Sequence, residues 1–177
     1  AHPKFYLDKE TETSRYGHHH NGIDQPGYIT FLNRAIEPTL PLLNTAMKGL
    51  DYGCGPSPTL SKILLQKGFT CFDFDPLFRF EHPLKSYDFI FATECIEHFF
   101  NPSADIRKIV SLLKPNGTLT IMTERWETLD QFKTWYYKND PTHVSFFHTI
   151  TFAYISNILG LEKLYQDNNR VIIFKKI

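Results

Sequence analysis

Neither sign of charge prevails in this chain: 19 Lys and Arg stand against 19 Asp and Glu in 177 residues. A general nucleic-acid binder carries a basic excess to meet phosphate, so no nucleic-acid partner is expected. No apolar run approaches the roughly 18 residues of a membrane span. The polar opening AHPKFYLDKETETSRY has none of the features of a secretory signal. Cysteine is scarce, and Cys54, Cys71 and Cys95 include no CxxC pair, which points to reduced thiols and a cytoplasmic setting. A solvated composition is lacking too. With 42% hydrophobic and 15% aromatic residues the chain is not disordered and has material for one sizeable core.

What is present divides into a polar arm, residues 1–27, and a single domain, residues 28–177. The arm holds His18-His19-His20, but adjacent residues cannot all face one ion from one helix or strand, so no metal site is expected. Tyr28, Phe31, Leu32 and Ala35 follow the spacing of an amphipathic helix that should stop near Pro38 and Pro41. Strand-like and helix-like runs then alternate. Leu50-Asp51-Tyr52 ends a strand, and Leu60, Ile63 and Leu64 mark a helix closed by Gly68. Residues 69–75 and 87–93 are strand-like. Asn101 and Pro102 form the start of a helix whose face carries Ile106, Ile109, Val110 and Leu113, and residues 117–123 are a further strand. Such alternation predicts a parallel sheet with helical crossovers. The tail predicts a helix ending at Gly160 and an antiparallel hairpin turning at Asp167-Asn168-Asn169.

The segment GLDYGCGPSPTLSKILLQKG carries the chemistry. A strand delivers Asp51, and glycines 53 and 55 let a ligand approach bare backbone at the carboxyl end of the sheet. A helix follows, with Ser57 expected as its N-cap and Pro58 at its first position. A pyrophosphate needs free N–H groups there, and Pro56 and Pro58 remove two, so a ligand without phosphate fits better. A carboxylate ending the next strand should grip ribose hydroxyls. Asp73 and Asp75 both qualify; Asp75 is preferred because the chain must turn at Asp75-Pro76, and the lesser alternative for either is a turn residue.

Taken in order, LDYGCGP, Asp75-Pro76, YDFIFATECIEHF and LLKPNGTLTIMTERW resemble the motifs of class I S-adenosylmethionine-dependent methyltransferases. WYYKNDPTHVSFF and the pattern Arg15, Tyr16, His19, Asn21, Tyr28, Phe31, Leu32 are similar to a bacterial subgroup related to ubiquinone-biosynthesis O-methyltransferases. The resemblance implies an α/β, three-layer Rossmann-like sandwich on a mostly parallel, seven-stranded type of sheet ending in an antiparallel hairpin. Only about a dozen residues separate Asp75 from Tyr87, so the sheet should be trimmed between its second and fourth strands. The implied cofactor is S-adenosyl-L-methionine and the implied partner a small-molecule acceptor. Tyr52, Gly53, Cys54 and Gly55 would meet the methionine portion with Asp51 nearby, Asp75 or Asp73 the ribose, and Thr93 and Glu94 the methionine side. Phe78, Phe80 and Leu84 are candidates for adenine walls or for core.

Methyl transfer to a hydroxyl benefits from a general base. His98, in Glu94-Cys95-Ile96-Glu97-His98, and His143, in Asp140-Pro141-Thr142-His143, follow strands at the ligand-binding end and are the candidates; each could instead be a structural histidine. Glu97 has the look of solvated helix surface. The aromatic group Trp126, Phe132, Trp135, Tyr136, Tyr137, Phe146 and Phe147 divides between core and a wall over a flat acceptor. The leading expectation is an enzyme methylating a small molecule, with oxygen the favoured acceptor. A catalytically silent cofactor-binding or partner-binding module is the alternative. The sequence does not fix the oligomeric state.

Overall fold

A computed structural model describes residues 1–8, 11, 22–78, 82 and 84–177; Arg15, Tyr16, the histidines 18–20, Asn21 and Phe80 lie outside them. Six strands form the central sheet: β1 (Lys48–Tyr52), β2 (Thr70–Phe74), β3 (Tyr87–Thr93), β4 (Leu113–Met122), β7 (Leu161–Gln166) and β8 (Val171–Lys176). Their spatial order is β2-β1-β3-β4-β8-β7. The first four run parallel, and β8 pairs antiparallel with both β4 and β7. This is the expected Rossmann-like sheet with its terminal hairpin. Among the described residues it has six strands rather than seven, and the shortening falls where the brief Asp75–Tyr87 connection predicts it. A separate parallel pair joins β5 (Arg125–Trp126) to β6 (Phe147–His148).

Sequence periodicity explains the three layers. In β3, Phe89 and Phe91 point to one face and Ile90 and Ala92 to the other, all fully buried, as a parallel strand covered on both sides requires. The first face packs against α1 (Pro26–Thr39) and α2 (Thr59–Gln66) through Leu32, Ile36, Leu60 and Leu64. The second packs against α3 (Pro102–Leu112) and α5 (Thr149–Leu159) through Ile106, Ile109, Phe152 and Ile155. Strand β8 repeats the division, with Val171 and Ile173 on one side and Ile172 and Phe174 on the other. A short helix, α4 (Leu129–Thr134), follows β5. No helix among the described residues is long and apolar enough to cross a membrane.

Helix α1 ends at Thr39, between Pro38 and Pro41 as expected; Pro38 is tolerated in the last turn, where it forfeits a single N–H. Other boundaries moved. Helix α2 begins at Thr59, with Pro58 at the cap position and no side-chain cap bond, so Ser57 is not the N-cap. Leu113 opens β4, opposite Tyr87, instead of closing a helical face. The Asn101 cap holds as expected, its side chain accepting from the Ala104 N–H at 3.2 Å.

Candidate active site

The site lies at the carboxyl ends of β1 and β3. From β1 the chain turns one way to β2 and then crosses to β3 on the other side, which opens a crevice between their ends. Gly53 and Gly55 line its first side in the left-handed region, at φ +82 and +66. At Gly53 a side chain is excluded twice over, since an added Cβ would also sit 2.5 Å from the Cβ of Cys95. The other side begins at Glu94, a non-glycine residue at φ 47 whose N–H donates to the Met122 carbonyl at 2.7 Å. Such strain in a side-chain-bearing residue is found where structure around it over-determines the backbone.

Two adjoining cavities occupy this crevice. One, of 310 Å³, runs over Tyr52, Asp75, Leu77, Phe78 and Phe99. The other, of 230 Å³, is bounded by Tyr28, Phe31, Cys54, Thr93, Glu97 and His143. Gly53, Gly55, Glu94 and His98 belong to the walls of both. The structure therefore gathers nine of the eleven site residues expected from sequence: Tyr52, Gly53, Cys54, Gly55, Asp75, Thr93, Glu94, His98 and His143. Asp51 and Asp73 line neither cavity. They face each other across the β1–β2 register, and each has an Oδ1 atom that is buried without a hydrogen-bond partner among the described residues. Burial, then the charges of Asp73 and Asp75, push the Asp51 carboxyl well above its ordinary pKa.

Asp75 holds the crevice together. Its Oδ2 accepts from the Gly55 N–H at 2.9 Å, and its Oδ1 from the N–H groups of Leu77 and Phe78 at 2.8 and 3.2 Å. A carboxylate offers about four acceptor positions, so it is a turn anchor with capacity left for a ligand hydroxyl. The Phe74 carbonyl takes the N–H groups of Gly53 and Cys54 at 2.8 and 3.1 Å. All three turn donors are thus engaged, which leaves no nest for a pyrophosphate. A nucleoside without phosphate fits: turned backbone, a carboxylate with spare capacity, and the apolar sides of Phe78 and Phe99. S-adenosylmethionine is such a ligand, and Tyr52, Gly53, Gly55, Asp75 and Glu94 are the residues that would hold it. Leu84 packs on the core instead.

The far wall departs most from expectation. Glu97 is fully buried, not solvated. It accepts from the Tyr137 hydroxyl and, at 2.9 Å, from Thr123 Oγ1. Burial pushes Glu97 up to about 7, and burial with the Glu97 charge pushes Glu94 up to about 8 against the pull of Arg170. Arg170 bridges Glu94, at 2.9 Å, and Glu124, and its guanidinium lies over the rings of Phe31 and Tyr137. Burial, reinforced by His98, holds His143 down to about 4. An imidazole that acidic in its protonated form is a weak base for a hydroxyl, so the expectation of a base near 6.5 does not suit His143. The aromatic side of the smaller cavity comes from Tyr28 and Phe31 of α1. Trp126, Phe132, Trp135 and Phe146 instead pack on one another in edge-to-face and tilted contacts, and Trp135 donates to Glu124 at 2.6 Å. From the arm, Tyr6 stacks on Phe100, a wall residue of the larger cavity, with ring centroids 4.4 Å apart.

The burial of Glu97 and the place of Arg170 escaped sequence reasoning. Arg170 meets Glu94 across 76 positions, and no local pattern announces such a pair.

A family model described as a methyltransferase domain matches residues 24–166. The chain belongs to that family. Its fold, crevice and motif order make it a class I S-adenosylmethionine-dependent methyltransferase. No curated protein matches the chain significantly. Among solved structures, this methyltransferase is similar to a SAM-dependent methyltransferase from Archaeoglobus fulgidus, with 16% identity, TM-score 0.58, and 98% and 96% of the two chains covered. It is also similar to the magnesium protoporphyrin IX methyltransferase of Synechocystis, solved with bound SAH, with 14% identity, TM-score 0.63, and coverage of 85% and 84%. An O-methyltransferase family protein from Burkholderia thailandensis shares 15% identity at TM-score 0.54, with 93% of this chain and 62% of that chain covered. At these identities the likeness is one of fold.

Proposed function

We propose that this methyltransferase moves a methyl group to a hydroxyl of a small molecule seated in the 230 Å³ cavity. The observation that carries this reading is the shared wall: Gly53, Gly55, Glu94 and His98 border both cavities, so a donor in one and an acceptor in the other would meet there. When bound, S-adenosylmethionine supplies a sulfonium methyl whose sulfur leaves as a neutral thioether. The protein's task is then placement, which can provide roughly 7–11 kcal/mol of the barrier. Gly53 and Gly55 let the donor come close to the backbone, and Asp75 fixes the turn that carries them. Tyr28 and Phe31 give the acceptor an apolar face. His98 stands at the meeting point, placed to accept a hydrogen bond from the hydroxyl.

The lining of the acceptor cavity favours an uncharged hydroxyl over a carboxylate. Its described residues include no Lys or Arg to pair with an anion, and Arg170 beside it is already held by Glu94 and Glu124. The reading is tested by incubating the purified protein with S-adenosylmethionine and a panel of phenols, alcohols and amines, then following product mass. His98→Ala should retain S-adenosylhomocysteine binding and lose most turnover on whichever compound reacts. Methylation of amines alone would overturn the choice of oxygen. Cofactor binding with no turnover across the panel would favour the silent module.

A further inference from the structure

The acceptor cavity ends on three side chains that no part of the reading above uses together. Glu97, His98 and His143 each present one potential ligand atom, and these atoms lie within 4.8 Å of one another. They come from two separate segments, the turn Ile96–His98 after β3 and the loop after the turn Tyr136–Asn139.

Hydrogen bonds orient all three. His98 Nδ1 lies 2.9 Å from the Thr142 carbonyl, and His143 Nδ1 lies 2.7 Å from the Tyr137 carbonyl. A carbonyl only accepts, so each Nδ1 carries the hydrogen, and the lone pair of each neutral ring is on Nε2. A ring N–H fixed on a backbone carbonyl is how metal-binding histidines are held in register. The carboxylate of Glu97 is likewise set, by Tyr137 and Thr123. The two segments are also clamped: the Glu97 carbonyl accepts from the N–H groups of Val144 and Ser145, both at 2.9 Å. Glu97 is fully buried; its side-chain partners are neutral hydroxyls, and Arg170 acts on it without a direct ion pair. A cation beside it would offset that burial.

We infer that Glu97, His98 and His143 bind one divalent first-row transition-metal ion at the acceptor end of the crevice. Two imidazoles and a carboxylate suit ions of the Mn, Fe, Co, Ni and Zn group, and leave coordination positions open toward the cavity. Bonds of about 2.1 Å would hold neighbouring ligand atoms about 3 Å apart, so the trio closes by roughly 1–2 Å on the ion. The inference rests on the smaller cavity being the acceptor's. With the ion bound, His98 Nε2 serves it and no longer accepts from the acceptor. The ion would instead polarise the acceptor hydroxyl, whose O–H bond breaks with its proton passing to water while the oxygen pair forms the new O–C bond and the C–S bond breaks with its electrons going to sulfur.

The test is a titration of Co²⁺ alone into chelator-stripped protein carrying His18→Ala, His19→Ala and His20→Ala, which removes the triplet as a competing ligand. Calorimetry and the visible absorption of bound cobalt should both report one equivalent, displaced by Zn²⁺. Glu97→Gln and His143→Ala should each weaken binding by on the order of 100-fold. Calorimetry with S-adenosylhomocysteine checks that each variant is folded, and should either fail that check, the other decides. Cobalt binding that is absent, or that survives these substitutions unchanged, overturns the inference. If S-adenosylhomocysteine binds and cobalt does not, the metal site falls while the methyltransferase reading stands. Failure of the intact protein to bind S-adenosylhomocysteine would count against that reading itself.

Discussion

Asp167 and Asp51 are two carboxylates at the same end of the sheet, and the fold treats them in opposite ways. Asp167, in the turn between β7 and β8, accepts through one oxygen from the N–H groups of Asn169, Arg170 and Val171 at 2.7–2.9 Å, and from Arg125 at 3.1 Å. Burial alone would raise its pKa, but these donors overcome burial and hold it below the ordinary value. Asp51, next to last in β1, is almost wholly buried, keeps an oxygen without a partner among the described residues, and is pushed well above its ordinary value. A turn that only has to hold a hairpin is satisfied internally. A strand end that faces a ligand-binding turn retains unspent acceptor capacity, and stability is lower for it.

Asp75 is the sharpest place to press this contrast, because it anchors a turn as Asp167 does yet lines the donor cavity. Asp75→Ala should weaken S-adenosylhomocysteine binding by about 1.5–3 kcal/mol, or roughly tenfold to 150-fold, in calorimetry. A drop in thermal stability with unchanged affinity would make it a second Asp167 and nothing more. Next in size, Asp167→Ala should destabilise the protein by about 2 kcal/mol in denaturant melts, since it strands several donors at once. Arg170 sits in the same turn and pairs with Glu94, so turnover should fall as well. A smaller effect of the opposite sign is expected from Asp51→Asn, a gain of about 1 kcal/mol near neutral pH from replacing a buried carboxylate with a neutral isostere. A loss of stability there would mean that Asp51 is paired in solution.

The pH dependence of these variants should be the smallest signal and the cleanest separation. Asp167 has a lowered folded-state pKa, so its stabilisation is complete above about pH 4 and is lost as pH falls through the folded value. The deficit of Asp167→Asn should therefore shrink in acid. Asp51 has a raised one, so its protonated form stabilises below about pH 4 and that contribution is lost as pH rises toward the folded value. The gain of Asp51→Asn should be greatest near neutrality and vanish in acid. Melts at about pH 7 and about pH 3 would check both.

Much of the architecture was legible because it is local. Residues 87–93 declared a strand through the apolar stretch Phe89-Ile90-Phe91-Ala92, and the turn residues 167–169 announced the hairpin between two strand-like runs. The turn at Gly53 and Gly55 and the strand ends at Asp75 and Thr93-Glu94 were readable for the same reason: parallel topology sends all of them to one edge. What could not be read depends on chain segments that meet only after folding. Glu97 stands in a polar-looking turn, and its burial is created by Tyr137 and Thr123, 40 and 26 positions away. The convergence of His98 with His143 has the same origin. Ser57 misled because a proline after a serine imitates a helix start while ψ 81 at Pro58 keeps the helix from beginning until Thr59.

The shortened connection after β2 has a bearing on how copies of the protein behave toward each other. With no further strand in the described sheet, β2 is an edge, and its sequence Thr70-Cys71-Phe72-Asp73-Phe74 has the aromatic, sparsely charged makeup on which another chain could add a strand. Two features oppose that. Asp73 puts a carboxylate one residue from the end of the edge strand, and Pro76 lacks the N–H that would extend the ladder beyond it. The acid that proved irrelevant to the cavity walls is thereby a guard against edge-to-edge aggregation.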